Sequence, residues 1–226
     1  MYKHILFDAD NTLFDFDHAE RSAFGLTMDA FSVSYDDEIY SRYSAVNARL
    51  WREFEQGLLD RDGVLVRRFE MMFPEMAGAA ADINSAFQQH LVAQAVLLPH
   101  ALELCEKLSR VAALSIVTNG VGASQRRRIE ASGIAPYFPR LFISEEIGVP
   151  KPDIRFFTHV LDALGNPDLD SVLIVGDSLT SDIQGGMNAG ITTCWLNRGG
   201  APVPAGYRPD HVVGSLRELE DILLAG

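Results

Sequence analysis

Short apolar segments that alternate with segments of helical spacing constrain the fold of this chain more than any other feature. The segments expected to form strands are residues 4–8, 112–117, 141–144, 171–175, 192–196 and 211–213. Between them, apolar side chains recur at helical spacing, for example in residues 156–164. Alternating strands and helices predict an α/β protein with a doubly wound, parallel, Rossmann-like sheet.

Two aspartates directly follow the first predicted strand. Asp8 and Asp10 come after the apolar run Ile5-Leu6-Phe7 and lie on one side of an extended chain. In open parallel sheets, reactive groups sit just past the carboxyl ends of the strands. Two carboxylates so close together repel each other and need a cation or a shared proton. We therefore expect a charged site at this edge of the sheet.

A long stretch without a convincing strand follows the first strand. Residues 18–95 contain four segments of helical spacing, and the acids Asp36-Asp37-Glu38 suit the start of one helix. Four helices on short connections predict a small helical bundle. We therefore predict an α/β core domain of residues 1–15 and 96–226, interrupted by a helical domain of residues 16–95.

The composition limits the kinds of partner. The chain has 226 residues and a formal net charge of −12 at pH 7, which argues against a nucleic-acid partner. A small phosphorylated substrate stays possible, because local charge governs its binding. No stretch approaches the ~20 apolar residues of a membrane span and no signal-peptide pattern is visible, so we expect no membrane partner. The two distant cysteines, Cys105 and Cys194, favour a reducing, cytoplasmic location.

Polar residues also mark later strand ends and loops. They are Thr118-Asn119-Gly120, Lys151 between two prolines, and Asp177 with Asp182. Each alone has an ordinary interpretation, because aspartate and threonine often cap helices and a loop lysine is usually solvated. Their occurrence together and in this order favours one common site.

In this order, the motifs resemble the four motifs of the haloacid dehalogenase (HAD) superfamily. The motifs are Asp8-Ala9-Asp10-Asn11-Thr12-Leu13, Thr118-Asn119, Lys151-Pro152 and Gly176-Asp177-Ser178-Leu179-Thr180-Ser181-Asp182. The resemblance is closer still to the pyrimidine 5′-nucleotidase branch, the house-cleaning nucleoside monophosphate phosphatases. It is carried by residues 45–51, 118–120, 143–149 and 188–197. In this superfamily a helical insert after the first motif acts as a cap domain, which implies that role for residues 16–95.

The resemblance implies a role for each of the four aspartates in these motifs. Asp8 would be the nucleophile that forms an aspartyl-phosphate. Asp10 would protonate the leaving alkoxide and then activate the hydrolytic water. Mg²⁺ would lie between Asp8, the main-chain carbonyl of Asp10, Asp177 and a phosphate oxygen. Asp182 would support the metal through a water or a hydrogen bond.

The resemblance also implies a cradle for the phosphoryl group. The Thr118 hydroxyl and the main-chain N–H groups of Asn119 and Gly120 would bind phosphoryl oxygens, and Lys151 would neutralise charge in the transition state. The implied activity is a Mg²⁺-dependent 5′-nucleotidase for pyrimidine nucleoside monophosphates. We expect a monomer or a homodimer.

Several other residues have two interpretations. Arg126-Arg127-Arg128 is interpreted as the solvated face of a helix, and no role is assigned to the six histidines. Trp51 suits the bundle core better than a platform for base stacking. Phe14 and Phe16 either line the leaving-group pocket or anchor the hinge to the helical domain.

Other functions stay open at this point. One alternative is a HAD phosphatase for another small metabolite, such as phosphoglycolate or a sugar phosphate, with a phosphomutase less favoured. Another is a non-catalytic ligand-binding protein on the same scaffold, although every catalytic position is filled. A dehalogenase is disfavoured. Dehalogenases need no metal and lack the second acid of the first motif, whereas this chain has Asp10 at that position.

Overall fold

The computed structural model describes residues 2–224 and divides the chain between two units. One unit comprises the chain up to Phe16 together with the chain from Val96 onward. It contains the β-strands of the described chain and is called the sheet unit. The other unit, Asp17–Ala95, is helical and is called the helical unit.

A parallel sheet forms the centre of the sheet unit. Within residues 2–224 it has six strands in the order β3-β2-β1-β4-β5-β6, and each neighbouring pair is parallel. The strands are β1 (His4–Phe7), β2 (Ala113–Thr118), β3 (Arg140–Ile143), β4 (Val172–Gly176), β5 (Thr192–Leu196) and β6 (His211–Val213). This order is that of a doubly wound Rossmann-like sheet, so the predicted fold class is confirmed.

The described residues also form ten α-helices. The first four are α1 (Phe16–Ala30), α2 (Asp37–Glu55), α3 (Arg61–Met72) and α4 (Ala80–Val92). The others are α5 (Ala101–Leu108), α6 (Gly122–Ser132), α7 (Ser144–Ile147), α8 (Ile154–Ala163), α9 (Gln184–Ala189) and α10 (Leu216–Leu224). A π-helical turn, Leu179–Ile183, precedes α9. No helix in the described part of the chain is long and apolar enough to cross a membrane.

Both faces of the sheet are buried. Ile5 and Phe7 of β1 belong to an apolar core that also contains residues of α5 and α10, whereas Leu6 belongs to a second core with α8. This division follows from the two-residue period of a β-strand, which sends successive side chains to opposite faces. Burial on both faces explains why the strands appear in the sequence as continuous apolar runs.

The helical unit has an aromatic core. The Tyr43 ring centroid lies 4.6 Å from that of Phe24, 5.6 Å from that of Phe69 and 6.0 Å from that of Phe87. All four side chains are fully buried, and aromatic pairs at such distances add to the stabilisation from burial alone.

Helix α2 begins at an acidic cap and contains Trp51. Its N-cap is Asp36, whose carboxylate accepts a hydrogen bond from the Ile39 N–H at 2.8 Å, as expected for a helix that begins at these acids. Trp51 packs against the cluster of Leu50, Phe54 and Val64. This packing supports the interpretation of Trp51 as part of the bundle core.

A buried polar network crosses the aromatic core. Arg68 is only 2% exposed and donates hydrogen bonds to Asn47 Oδ1 at 3.1 Å and Asn84 Oδ1 at 2.9 Å. Asn47 Nδ2 in turn donates to Glu20 Oε1 at 2.7 Å. The Arg68 guanidinium carbon also lies 4.5 Å from the centroid of the Phe87 ring. One side chain therefore donates to acceptors on two other helices, α2 and α4, and stacks on the core.

This network predicts that Arg68→Ala destabilises the helical unit. The substitution leaves the Asn47 and Asn84 oxygens without their donor and opens a cavity, so the free energy of unfolding should fall by about 2–4 kcal/mol. Arg67→Ala, at the exposed neighbouring position, is the matched control and should change it by less than about 0.5 kcal/mol. Guanidinium titrations of both variants measure the difference. Equal stabilities would show that the network is not stabilising.

Candidate active site

The candidate site lies at the carboxyl ends of three adjacent strands. Asp8 follows β1, Thr118 ends β2, and Asp177 follows β4. The strand order reverses direction beside β1, and ligands of open α/β sheets bind at such a switch point. The Asp8 N–H donates to the Val175 carbonyl at 2.9 Å, which continues the sheet pairing up to the site.

Lys151 is the centre of the hydrogen bonding in this site. Its side chain is 1% exposed, and Nζ donates to Asp8 Oδ1 at 2.7 Å, to Asp182 Oδ1 at 2.6 Å and to the Val117 carbonyl at 2.9 Å. An ammonium group has three donors, so all of them are used. The side chain is therefore held in one orientation between two carboxylates.

Asn119 fixes the main chain of Lys151. The Lys151 N–H donates to Asn119 Oδ1 at 2.9 Å, and Asn119 Nδ2 donates to the Lys151 carbonyl at 3.0 Å. The side chain of Asn119 therefore ties the end of β2 to the lysine loop. The sequence motif predicts a phosphate-binding N–H group at Asn119, and this use of its side chain is a further finding of the structure.

The charge of Lys151 is secured by its partners. Burial lowers the pKa of a lysine, but the negative charges of Asp182 and Asp8 and their hydrogen bonds outweigh it and raise the pKa of Lys151. Lys151 therefore carries a permanent positive charge next to Asp8.

Three carboxylates crowd around this lysine. Asp8, Asp177 and Asp182 each place an oxygen within 4.8 Å of the others. Burial raises the pKa of Asp8 to about 7, assisted by the negative charges of Asp182 and Asp10 and opposed by Lys151. Burial, followed by the charges of Asp8 and Asp182, also raises the pKa of Asp177 well above its ordinary value. One lysine does not balance this negative charge.

Asp182 is held on both of its oxygens. Oδ1 accepts from Lys151, and Oδ2 accepts from the Ser178 N–H at 3.2 Å. A Cβ atom at Gly176 would stand 2.2 Å from Oδ2, so only glycine at this position leaves room for the carboxylate. Asp182 is fully buried and is better placed to support its neighbours than to bind a ligand alone.

The donor set fits a hard divalent cation. Carboxylate oxygens are the ligands that Mg²⁺ prefers, and Mg²⁺ is held by one or two carboxylates together with substrate phosphate. Asp8 and Asp177 are the two carboxylates that Lys151 and Ser178 leave most available. Burial is the main cause of the raised pKa values of both groups, and a bound cation would offset the carboxylate repulsion that adds to it.

The Thr118 hydroxyl lies at the end of β2 and is almost fully buried. It accepts a hydrogen bond from the Gly120 N–H at 3.0 Å and another from Gln125 Nε2 at 3.3 Å. Its own proton remains available as a donor, because a hydroxyl has one donor in addition to its two acceptor lone pairs. The structure therefore brings Thr118, Asn119 and Gly120 together at one strand end.

Asp10 is held by two side chains of α6. Arg128 Nη1 donates to Asp10 Oδ1 and Gln125 Nε2 donates to Asp10 Oδ2, both at 2.5 Å. The expectation that Arg126-Arg127-Arg128 is solvated is wrong for Arg128, whose side chain is 1% exposed. It holds for Arg126, which is exposed and pairs with Glu146, and for the exposed Arg127.

The helical rotation explains this correction. Gln125, Arg128 and Ile129 are buried because positions three and four apart share one face of α6, while Arg126 and Arg127 point elsewhere. Three consecutive arginines hide this pattern. The spacing of Gln125, Arg128 and Ile129 was the one signal from which the inward position of Arg128 could have been predicted.

Phe14 and Phe16 surround Arg128. Its guanidinium carbon lies 4.5 Å from the centroid of the Phe14 ring and 5.6 Å from that of Phe16. Phe14 is fully buried. Of the two open interpretations for this pair, neither anticipated that both rings pack around a buried cation.

Comparisons with known proteins relate the chain to one family of hydrolases. Residues 2–190 match the haloacid dehalogenase-like hydrolases. The chain is 40% identical over 222 residues to the pyrimidine 5′-nucleotidase YjjG of Escherichia coli (strain K12), with 97% of this chain and 96% of YjjG covered. It is 34% identical to the pyrimidine 5′-nucleotidase PynA of Streptococcus pneumoniae (strain ATCC BAA-255 / R6), with 98% and 95% covered.

A solved structure extends this similarity to nearly the whole fold. The protein YfnB of Bacillus subtilis, in an orthorhombic crystal form bound to magnesium, superposes with a TM-score of 0.92. Its sequence is 34% identical, and 98% of each chain is covered. A similar protein therefore binds the cation that the carboxylates of this site fit.

The crowded carboxylates predict that Mg²⁺ stabilises the protein. A cation that binds only the folded state at 100 times its Kd adds about 2.7 kcal/mol, and this raises Tm by roughly 5–10 °C for a chain of this size. Asp177→Asn should abolish most of this increase, and without Mg²⁺ it should melt no lower than the wild type, because it removes repulsion. Thermal melts with and without MgCl₂ measure both effects.

The exposed Asp170 provides the matched control for this experiment. Asp170→Asn should keep the full Mg²⁺ response, because its side chain lies outside the carboxylate cluster. An Asp177→Asn variant that responds to Mg²⁺ as the wild type does would rule out Asp177 as a ligand.

Proposed function

The chain belongs to the haloacid dehalogenase-like hydrolases, and we propose that within this family it is a Mg²⁺-dependent 5′-nucleotidase that dephosphorylates pyrimidine nucleoside monophosphates. The observation that carries the proposal is the buried ion-pair cluster of Asp8, Lys151 and Asp182 beside Asp177. A phosphoryl-transfer site needs a nucleophile, a cation site and a positive charge, and this cluster supplies all three.

Asp8 is the proposed nucleophile. Its carboxylate attacks phosphorus, forms a P–O bond and gives an aspartyl-phosphate, while the bond from phosphorus to the nucleoside 5′ oxygen breaks. Lys151 holds Asp8 by one oxygen at 2.7 Å and therefore limits the positions that the attacking group can adopt. The same ammonium lies where negative charge develops on the phosphoryl group.

Asp10 is the proposed proton donor and acceptor. It gives a proton to the departing 5′ oxygen and takes one from the water that attacks the aspartyl-phosphate. The second step releases inorganic phosphate and restores Asp8. Both steps need a carboxyl group at a fixed place near the scissile bond, and Asp10 follows Asp8 at two positions along the same strand end.

The phosphoryl oxygens are bound by the end of β2 in this proposal. The Thr118 hydroxyl and the N–H groups of Asn119 and Gly120 are the donors, and the Gly120 N–H would exchange its hydrogen bond to Thr118 for one to the phosphoryl group. Asp8, Asp177 and the Asp10 carbonyl would hold Mg²⁺, which would supply positive charge to the phosphoryl group. Asp182 keeps Lys151 in place beside Asp8.

The preference for pyrimidine nucleotides is supported by relatives. YjjG and PynA are named pyrimidine 5′-nucleotidases, and each is similar to this chain over nearly its full length. We assign the helical unit, Asp17–Ala95, the role of the cap domain that selects the leaving group. The protein is proposed to act in the cytoplasm as a monomer or homodimer, and the free, buried Cys105 and Cys194 suit a reducing compartment.

A panel of phosphate esters tests the substrate class. Phosphate release should be fastest with dUMP, dTMP and UMP, slower with AMP and GMP, and slowest with phosphoglycolate and sugar phosphates. EDTA should abolish it, and added Mg²⁺ should restore it, because the carboxylates need a cation to accept a phosphate dianion. Activity confined to sugar phosphates or phosphoglycolate would keep the chemistry and reject the nucleotide assignment. Absence of any activity would favour a ligand-binding protein.

Substitution of Asp8 tests the nucleophile. Asp8→Asn should lower kcat by on the order of 10³-fold or more, because an amide does not form the acyl phosphate. The variant should remain folded, with its Tm measured alongside. Asp162→Asn, at an exposed position of α8, serves as the control and should retain wild-type turnover. Normal hydrolysis by Asp8→Asn would falsify the assignment.

A further inference from the structure

Arg128 is a charged residue on the buried face of α6, where an apolar side chain would be expected. Its side chain is 1% exposed and pairs with Asp10, while Nε and Nη2 make no hydrogen bond within residues 2–224. Burying a guanidinium group costs free energy that one ion pair repays only with good geometry. The stacking on Phe14 and Phe16 offsets part of that cost. Such an arrangement is expected where orientation matters more than stability.

Gln125 completes the hold on Asp10. Arg128 donates to one carboxylate oxygen and Gln125 to the other, so rotation of the carboxylate breaks at least one hydrogen bond. The two donors lie three positions apart on α6 and share one helix face. Gln125 and Arg128, together called the Asp10 clamp, therefore both belong to a single helix.

The same glutamine links Asp10 to the phosphate-binding strand end. Gln125 Nε2 also donates to Thr118 Oγ1 at 3.3 Å. A Cβ atom at Gly120 would stand 2.3 Å from Nε2, so the glycine at this position leaves the space that the Gln125 amide fills. Gln125 therefore fixes the position of Asp10 relative to Thr118.

We propose that Arg128 and Gln125 are positioning residues that orient the Asp10 carboxyl group for proton transfer. This inference rests on the proposed function, because it assigns Asp10 the proton-transfer role. Neither residue touches the reacting phosphorus. Arg128 sets the direction of the Asp10 side chain, and Gln125 sets its distance from the phosphoryl site.

The two half-reactions depend differently on this clamp. Departure of a nucleoside 5′ alkoxide requires a proton from Asp10, whereas p-nitrophenolate is a good leaving group and departs without one. Hydrolysis of the aspartyl-phosphate requires Asp10 to accept a proton from water, whichever substrate formed it. A misplaced Asp10 should therefore slow dephosphorylation with both substrates but phosphorylation only with the nucleotide.

Arg128→Met tests this expectation by removing the charge while keeping an unbranched side chain against Phe14. Steady-state kcat should fall by about 10²-fold, as for a reacting group misplaced by about 1 Å. With p-nitrophenyl phosphate, a rapid-quench experiment should show a burst approaching one p-nitrophenol per enzyme at the wild-type rate. With a nucleotide substrate, no burst of nucleoside release should be seen, because departure of the 5′ alkoxide requires the proton from Asp10. KM for p-nitrophenyl phosphate should not rise.

Two further variants control for structural damage. Arg127→Met changes the exposed neighbour on α6 and should match the wild type in every measurement. Arg128→Lys keeps a charge but provides no planar fork, so it should restore only part of the turnover. If Arg128→Met does not fold, Gln125→Leu tests the same clamp from its other donor and should show the same burst.

A double-variant cycle decides whether Arg128 acts through Asp10. In an Asp10→Asn background, Arg128→Met should change steady-state turnover by less than about 2-fold, because the group that it positions is already gone. Independent, multiplying effects would overturn the proposal. So would a burst whose rate falls in parallel with kcat, because that result indicates damage to Asp8 rather than to Asp10.

The cycle and the burst also separate this inference from the nucleotidase proposal. Failure of the wild type on every nucleotide overturns the substrate class alone. The p-nitrophenyl phosphate measurements then still distinguish an effect on Asp10 from an effect on Asp8.

Discussion

The buried ammonium of Lys151 is the charge on which the rest of the site depends. It contacts two carboxylates and one carbonyl, and without it Asp8 and Asp182 would face each other and Asp177 with no compensating charge. Lys151 stays protonated because those same carboxylates raise its pKa, against the opposite effect of burial. Because three carboxylates surround one ammonium group, negative charge is in excess at the site. A metal cation would balance that excess, and this makes the site suited to a metal and a phosphate.

The sheet unit uses a separate cation for each of the two aspartates after β1. Lys151 holds Asp8 from the loop before α8, and Arg128 holds Asp10 from α6. The proposed nucleophile and the proposed proton carrier are thus held by different elements, although they are separated by a single residue, Ala9. This separation allows each group to be positioned for its own step, and a change at one cation need not disturb the other.

Glycines and amides provide the space and the links between these charged groups. Gly176 leaves room for the Asp182 carboxylate, and Gly120 leaves room for the Gln125 amide. Asn119 ties β2 to the lysine loop through two hydrogen bonds. These residues carry no charge, yet they decide the distances at which the charged groups meet. In the helical unit, Arg68 has a comparable role, because it joins polar groups from several helices inside an aromatic core.

Local patterns in the sequence are enough to predict the parallel sheet and most of the candidate site. Apolar runs buried on both faces and the polar residues after them can be recognised locally, and the order of the motifs placed Asp8, Asp10, Thr118, Lys151 and Asp177 at one edge. Two features follow from the folded arrangement alone: Arg128 is buried against Asp10, 118 positions away in sequence, and burial raises the pKa of Asp8 to about 7. Helix rotation, desolvation and charge proximity depend on distances between remote residues, and no local pattern encodes those distances.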